Sequence, residues 1–152
     1  MKQKKVWLMS GIPGSGKSTY VKKKKKKNGG IHCSRDEVRF RLLKDNDNYF
    51  DRENEVFSTW IKEIVTAINS EHDDNIYIDA THLTEKARKK VLNLLPIEKI
   101  DLTYIAFDIP LEICLERNKQ RTGRALVPET VIKNMLCSYT IPKGDNVIII
   151  KE

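Results

Sequence analysis

Short apolar runs alternate along the chain with longer stretches of helical period. Val6-Trp7-Leu8-Met9 has the character of a buried strand, and so do Ile31-His32-Cys33, Asn75-Ile76-Tyr77-Ile78-Asp79, Leu102 to Phe107 and Val147 to Ile150. Between them the pattern predicts helices. One runs from Lys17 to about Lys26 and is stopped by Asn28-Gly29-Gly30. A second opens at Ser34, with Glu37 completing a capping box, carries Val38, Phe40, Leu42 and Leu43, and breaks at Asp45-Asn46-Asp47-Asn48. A longer one is expected from about Tyr49 to Asn69. There Val56, Trp60, Ile64 and Ile68 recur at four-residue steps beside Phe57, Ile61 and Val65, a broad apolar face against a sheet, with Trp60 in the core. Thr84 starts a helix reaching Leu95 before Pro96. Pro110 suits the first turn of a helix to about Gln120, residues Arg121 to Val127 read as a mobile loop, and Pro128-Glu129 open a last helix ending near Tyr139. Strand and helix alternate throughout, which predicts an α/β fold with a parallel sheet covered on both faces. Ligands of such sheets sit at the carboxyl ends of the strands, and Gly11, Ser34, Asp36, Asp79 and Thr81 all follow strand ends.

The 152 residues suit one domain over 1–152, and a hydrophobic fraction of 39% suffices for its core. No apolar run approaches the length of a membrane span, and the charged N-terminus leading into the first strand carries no secretory pattern. Cys33, Cys114 and Cys137 are widely spaced, which suits reduced thiols in a cytoplasmic protein and argues against structural zinc. The net charge of +7 invites a nucleic-acid reading, but removing the six consecutive lysines Lys22 to Lys27 leaves +1. Such a run reads first as a solvated helix end and second as a non-specific attraction for polyanions.

The chemistry concentrates in Gly11-Ile12-Pro13-Gly14-Ser15-Gly16-Lys17-Ser18-Thr19, which fits G-x-x-x-x-G-K-[ST] between a strand and a helix. Glycines let the backbone curl around a phosphate, and successive N–H groups with the helix N-terminus supply positive potential. Lys17 can reach the β- and γ-phosphates of ATP, and the Ser18 hydroxyl can ligate Mg²⁺.

Phosphoryl transfer further needs a group to accept the acceptor's proton and positive charge where negative charge develops. Asp36 lies in the first turn of its helix and Arg39 one turn on, so the pair can hold a hydroxyl and a neighbouring phosphate; equally, they could stabilise a helix start and pair on the surface. Asp79 ends an apolar strand, either as a carboxylate that orients magnesium's waters or the acceptor, or as an ordinary strand-end residue. Arg117, Arg121 and Arg124 surround Gly123 and suit a lid that neutralises the transferring phosphate and excludes water, spanning about 117–128. His32, His72 and His82 lack metal spacing and read as surface or packed histidines.

Taken together, these segments resemble the 5′-kinase domain of phage-type polynucleotide kinases. Residues 11–19 resemble that family's phosphate loop, Ser34-Arg35-Asp36-Glu37-Val38-Arg39 its R-D-x-x-R helix start, and Ile78-Asp79-Ala80-Thr81-His82-Leu83 its D-x-T-N-L strand end. Phe107-Asp108-Ile109-Pro110, with Arg117-Asn118 through Arg121 and Val127-Pro128, resembles its last strand and lid. The resemblance implies a P-loop kinase fold with strand order 2-3-1-4-5. It implies Asp36 as general base for a 5′-hydroxyl, Arg39 and Thr81 on the acceptor's phosphate, Val127 on the acceptor side, and Arg121 on the donor phosphates. His82 stands where the family has asparagine. The lid is a residue longer, so Arg124 shares the role given to Arg121. No D-x-D-G-T signature is present, so no 3′-phosphatase is expected of this chain.

The expectation is an ATP- and Mg²⁺-dependent kinase of 5′-hydroxyl DNA or RNA ends, without membrane association. A P-loop kinase of a small metabolite or nucleotide-sugar is the enzymatic alternative. A nucleotide-switched binding module is the non-enzymatic one, against which the Asp36/Arg39 pair and the lid arginines speak.

Overall fold

The computed structural model describes residues 2–151. Five parallel strands form one sheet in the order β2-β3-β1-β4-β5: β1 (Lys4–Ser10), β2 (Ile31–Ser34), β3 (Asn75–Asp79), β4 (Ile100–Phe107) and β5 (Val147–Ile150). The helices are α1 (Lys17–Asn28), α2 (Arg35–Leu42), α3 (Glu53–Asn69), α4 (Glu85–Leu92), α5 (Leu111–Lys119) and α6 (Glu129–Ser138). All five strands stand where the apolar runs put them, and their order is the one the family resemblance implies.

Side chains alternate across the sheet as strand geometry demands. On one face Val6, Ile76 and Ile78 pack against Val56, Trp60, Ile64 and Ile68 of α3 and Val91 of α4. On the other, Met9, Tyr77, Ile105 and Phe107 pack against Val21 of α1, Cys114 of α5 and Ile132 of α6. Trp60 is fully buried and its indole N–H donates to the Cys33 carbonyl at 2.9 Å, so it is a core residue and not a stacking surface.

Some boundaries differ from expectation, each for a local reason. The long helix begins at Glu53 rather than Tyr49, because Asp47 and Asp51 accept from the backbone N–H groups of Lys44 and Asn48 and hold residues 44–52 in turns. The Thr84 hydroxyl caps α4, which ends at Leu92; three turn residues intervene before Pro96. Arg117 lies on α5, and the segment expected to be a mobile loop contains a 3₁₀ turn at Gly123–Ala125. Of the lysine run, five members are exposed and Lys24 lies 5.5 Å from the Tyr20 ring centre, as a solvated helix face would have it. No described helix is long and apolar enough to cross a membrane.

Candidate active site

At the carboxyl edge, β1 runs into the 11–16 loop and α1 starts at Lys17, capped by Gly16 in the left-handed region (φ 97°). Gly14 also has positive φ (82°), and a Cβ there would fall 2.4 Å from the Cys114 carbonyl oxygen. The glycine therefore lets α5 close onto the loop as well as leaving room for a phosphate. Arg117 reaches down from α5 and donates to the Gly14 carbonyl at 3.3 Å. The Lys17 ammonium is folded onto its own loop, 2.9 Å from the Ile12 carbonyl. Burial lowers its pKa from 10.5 to about 8; Asp79 opposes this shift, and Arg121 adds to it.

Asp79, at the end of β3, faces the loop. One carboxylate oxygen accepts from the Ser18 hydroxyl at 2.8 Å and from His32 Nε2 at 2.7 Å. Burial would raise the pKa of this group, but the His32 hydrogen bond and the Lys17 charge outweigh it and hold the carboxyl below the ordinary carboxylate range. His32 is thus neither a surface nor a purely packing residue, since its ring orients the aspartate. Pattern reading had no signal for this, because the contact arises only from the pairing of β2 with β3.

Asp36 and Arg39 come together on the first turn of α2, whose N-cap Ser34 accepts from Glu37 N. Asp36 remains half exposed, whereas the Arg39 side chain is only 5% exposed. Glu53, at the start of α3, holds that guanidinium with bonds from Nε at 2.8 Å and Nη2 at 3.0 Å, and also accepts from Arg35 at 3.0 Å. The remaining nitrogen, Nη1, bonds Asp36 and the Tyr49 hydroxyl. Sequence reasoning missed both Glu53 and Tyr49; a helix expected to start at Tyr49 hid them as ordinary residues of its first two turns.

Ser18, Asp36, Arg39, Tyr49, Glu53, Asp79 and Thr81 line one cavity of about 220 Å³. The Thr81 carbonyl accepts from Gly11 N at 2.9 Å, which ties the end of β3 to the phosphate loop. His82 follows with φ 42°, a conformation that histidine and asparagine adopt more readily than most residues. Its Nδ1 donates to the Met9 carbonyl at 2.6 Å, and burial pushes its pKa down to about 4, so it is a neutral packing residue beside Trp60.

The three arginines separate. Arg117 sits over the loop and Arg121 is close enough to lower the Lys17 pKa, whereas Arg124 donates to the Lys44 carbonyl on the α2–α3 connection at 3.0 Å. Asn118 ties the two ends of the 119–126 segment by exchanging bonds with the Val127 backbone, at 2.6 Å to the carbonyl and 3.0 Å from the N–H. Val127 thereby lines an apolar pocket with Pro13, Tyr49, Phe50 and Leu126 beside the acidic cavity.

A glycine-cradled loop, its lysine, and a serine hydroxyl on a strand-end aspartate, at the edge of a 2-3-1-4-5 sheet, define a P-loop nucleotide-binding protein. The AAA domain family matches residues 6–142, and the chain belongs to it. It is 27% identical, over 93% of its length, to a putative bifunctional polynucleotide kinase/RNA ligase of Autographa californica nuclear polyhedrosis virus, of which it spans 23%. The fold is similar to a chain of the Pnkp1/Rnl/Hen1 RNA repair complex (TM-score 0.76, 22% identity, 91% of this chain and 44% of that one). It is also similar to a gluconokinase from Sinorhizobium meliloti 1021 (TM-score 0.65, 18% identity, 99% of this chain and 84% of that one).

Proposed function

We propose that the protein transfers the γ-phosphate of ATP to the 5′-hydroxyl of a DNA or RNA end. The observation that carries this reading is the single cavity in which Ser18 and Asp79 meet Asp36, Arg39 and Thr81. Donor and acceptor groups share one space, as in-line transfer requires. The viral relative's description as a polynucleotide kinase/RNA ligase supports the choice of acceptor.

The residues fit a nucleotide and its cation. A side chain at Gly14 would clash with α5, so the loop is built for close backbone approach, and Ser18 with Asp79 offers hard oxygen donors suited to Mg²⁺. Loop N–H groups and Lys17 would hold the phosphates, Ser18 would ligate the cation, and Asp79 would orient its water shell. Bound Mg²⁺ supplies charge neutralisation across the donor phosphates. Asp36, half exposed at the cavity, accepts the proton of the acceptor hydroxyl. Arg39 Nη1 faces the same place and, with Thr81, suits the next phosphate of the acceptor strand. Arg121 and Arg117 cover the donor side.

A metabolite kinase would use the same loop and base, and the gluconokinase likeness in fold is the observation on its side. Labelled transfer to a nucleoside, its 3′-monophosphate and a short oligonucleotide separates the two. The 3′-monophosphate is expected to be much the better of the mononucleoside acceptors, and Arg39→Ala to shrink the gap by about 1.5–3 kcal/mol. Equal kcat/KM for nucleoside and 3′-monophosphate in the wild type removes the polynucleotide reading.

A further inference from the structure

The connection between α2 and α3 places a hydroxyl against the proposed base. Tyr49 Oη lies 2.5 Å from Asp36 Oδ1 and 2.7 Å from Arg39 Nη1. A carboxylate can only accept and a guanidinium can only donate, so the phenol gives its proton to Asp36 and takes one from Arg39. Burial, then the Asp36 carboxylate, push the phenol well above its ordinary pKa, so it remains a donor at any working pH. An acceptor hydroxyl awaiting deprotonation would make the same bond to Asp36, and an acceptor phosphate would call on the same Nη1 of Arg39.

The ring sits on a turn segment, whereas Arg39 belongs to a helix. It covers the Arg39 guanidinium at 4.1 Å and meets Phe40 and Phe50 edge-on. Its backbone belongs to the 44–52 turns, fastened by Asp47, Asp51, Arg52 on the Leu42 carbonyl and the single bond from Arg124. Arg39, by contrast, is fixed by Glu53. Departure of the tyrosine would leave both Glu53 bonds to Arg39 in place.

Resting on the kinase reading, we propose that the Tyr49 hydroxyl is an internal stand-in for the acceptor hydroxyl. It keeps Asp36 Oδ1 and Arg39 Nη1 occupied until an acceptor displaces it, and so keeps water from using that oxygen, the one beside Arg39, as a base. Without it, a water oxygen bonds to the γ-phosphorus of ATP, the bond to the β–γ bridging oxygen breaks, the water proton passes to Asp36, and ADP and phosphate leave. The acceptor is favoured over water because it brings a phosphate for Arg39 and water does not.

Tyr49→Phe removes the hydroxyl and keeps the ring on Arg39. The full chain, wild type and variant, is assayed for release of inorganic phosphate from ATP without acceptor and for transfer to a 5′-hydroxyl oligonucleotide, with melting temperature as control. Acceptor-independent hydrolysis is expected to rise and the acceptor KM to fall, each several-fold and up to about tenfold, for loss of one charge-assisted hydrogen bond. A raised acceptor KM makes Tyr49 a substrate contact and overturns the proposal, and so does unchanged hydrolysis. The hydrolysis arm needs no acceptor, so it reads Tyr49 even if transfer to nucleic-acid ends fails. That failure counts against the kinase assignment alone.

Discussion

The two halves of the cavity are built in opposite ways. The proposed donor side is one continuous segment, residues 11–19, which reaches the cavity at Ser18 and whose shape comes from local conformation, with glycine where φ is positive. The acceptor half is assembled from side chains of α2, α3, their connection and the end of β3, joined by a network in which two arginines share Glu53. A backbone cradle is stiff and indifferent to what lies beyond the phosphates. A side-chain network can exchange partners, and in the proposal above Arg39 Nη1 and Asp36 are the members that exchange Tyr49 for the acceptor. On the proposed function, donor recognition is preformed, whereas acceptor recognition requires a swap.

The sharpest way to break this contrast is Asp36→Asn. It keeps the helix start but removes the proton acceptor, so transfer should fall by about 10²–10⁴-fold while ATP affinity, measured by equilibrium titration, stays near wild type. Transfer within a few-fold of wild type would reduce Asp36 to a helix-start residue. Next comes Lys17→Ala, expected to cost about 10²–10³-fold in transfer with the fold retained by circular dichroism. Near-normal turnover in a folded variant would remove the donor half altogether.

The lid offers a smaller test. Arg121 acts on Lys17 and Arg124 on the Lys44 carbonyl, so Arg121→Ala should lower kcat by more than Arg124→Ala does, and Arg124→Ala should act chiefly through the acceptor KM. The reverse order in steady-state kinetics would assign Arg124 to the donor.

The smallest effect is one of pH. Burial lowers the Lys17 pKa from 10.5 to about 8, so the fold carries the full cost of the ammonium below pH 8 and is relieved of it as pH climbs towards 10.5. Nucleotide phosphates favour the charged form. Affinity should therefore be highest below about pH 8, weaken about fourfold between pH 7 and 8.5, and show proton uptake on binding in calorimetry with paired buffers. In Lys17→Ala that component of the pH dependence should vanish.

The same contrast explains what could be read from the chain alone. All five strands follow from short apolar runs, and the phosphate loop, Asp36, Arg39, Asp79 and Thr81 from patterns confined to a few neighbouring residues. Glu53, Tyr49 and His32 bear on the cavity through contacts 14, 13 and 47 positions away in the chain, to Arg39, Asp36 and Asp79. No local pattern marks a glutamate that will clamp an arginine or a tyrosine that will face a carboxylate. The helix start at Glu53 was equally hidden, because the hydrogen bonds that hold the preceding turns run from the backbone N–H groups of Lys44 and Asn48 to the Asp47 and Asp51 carboxylates, and no apolar period marks where α3 begins.

Trp60 carries a consequence of another kind. Its indole is fully buried, with the Arg35 guanidinium 5.6 Å from the ring centre and the His82 ring at the same separation. Arg35 shares Glu53 with Arg39, so a rearrangement that moves Arg35 is expected to change the electric field at an intrinsic fluorophore. With Trp7 replaced by phenylalanine to silence the other tryptophan, Trp60 emission is then expected to report events in the cavity without an attached label.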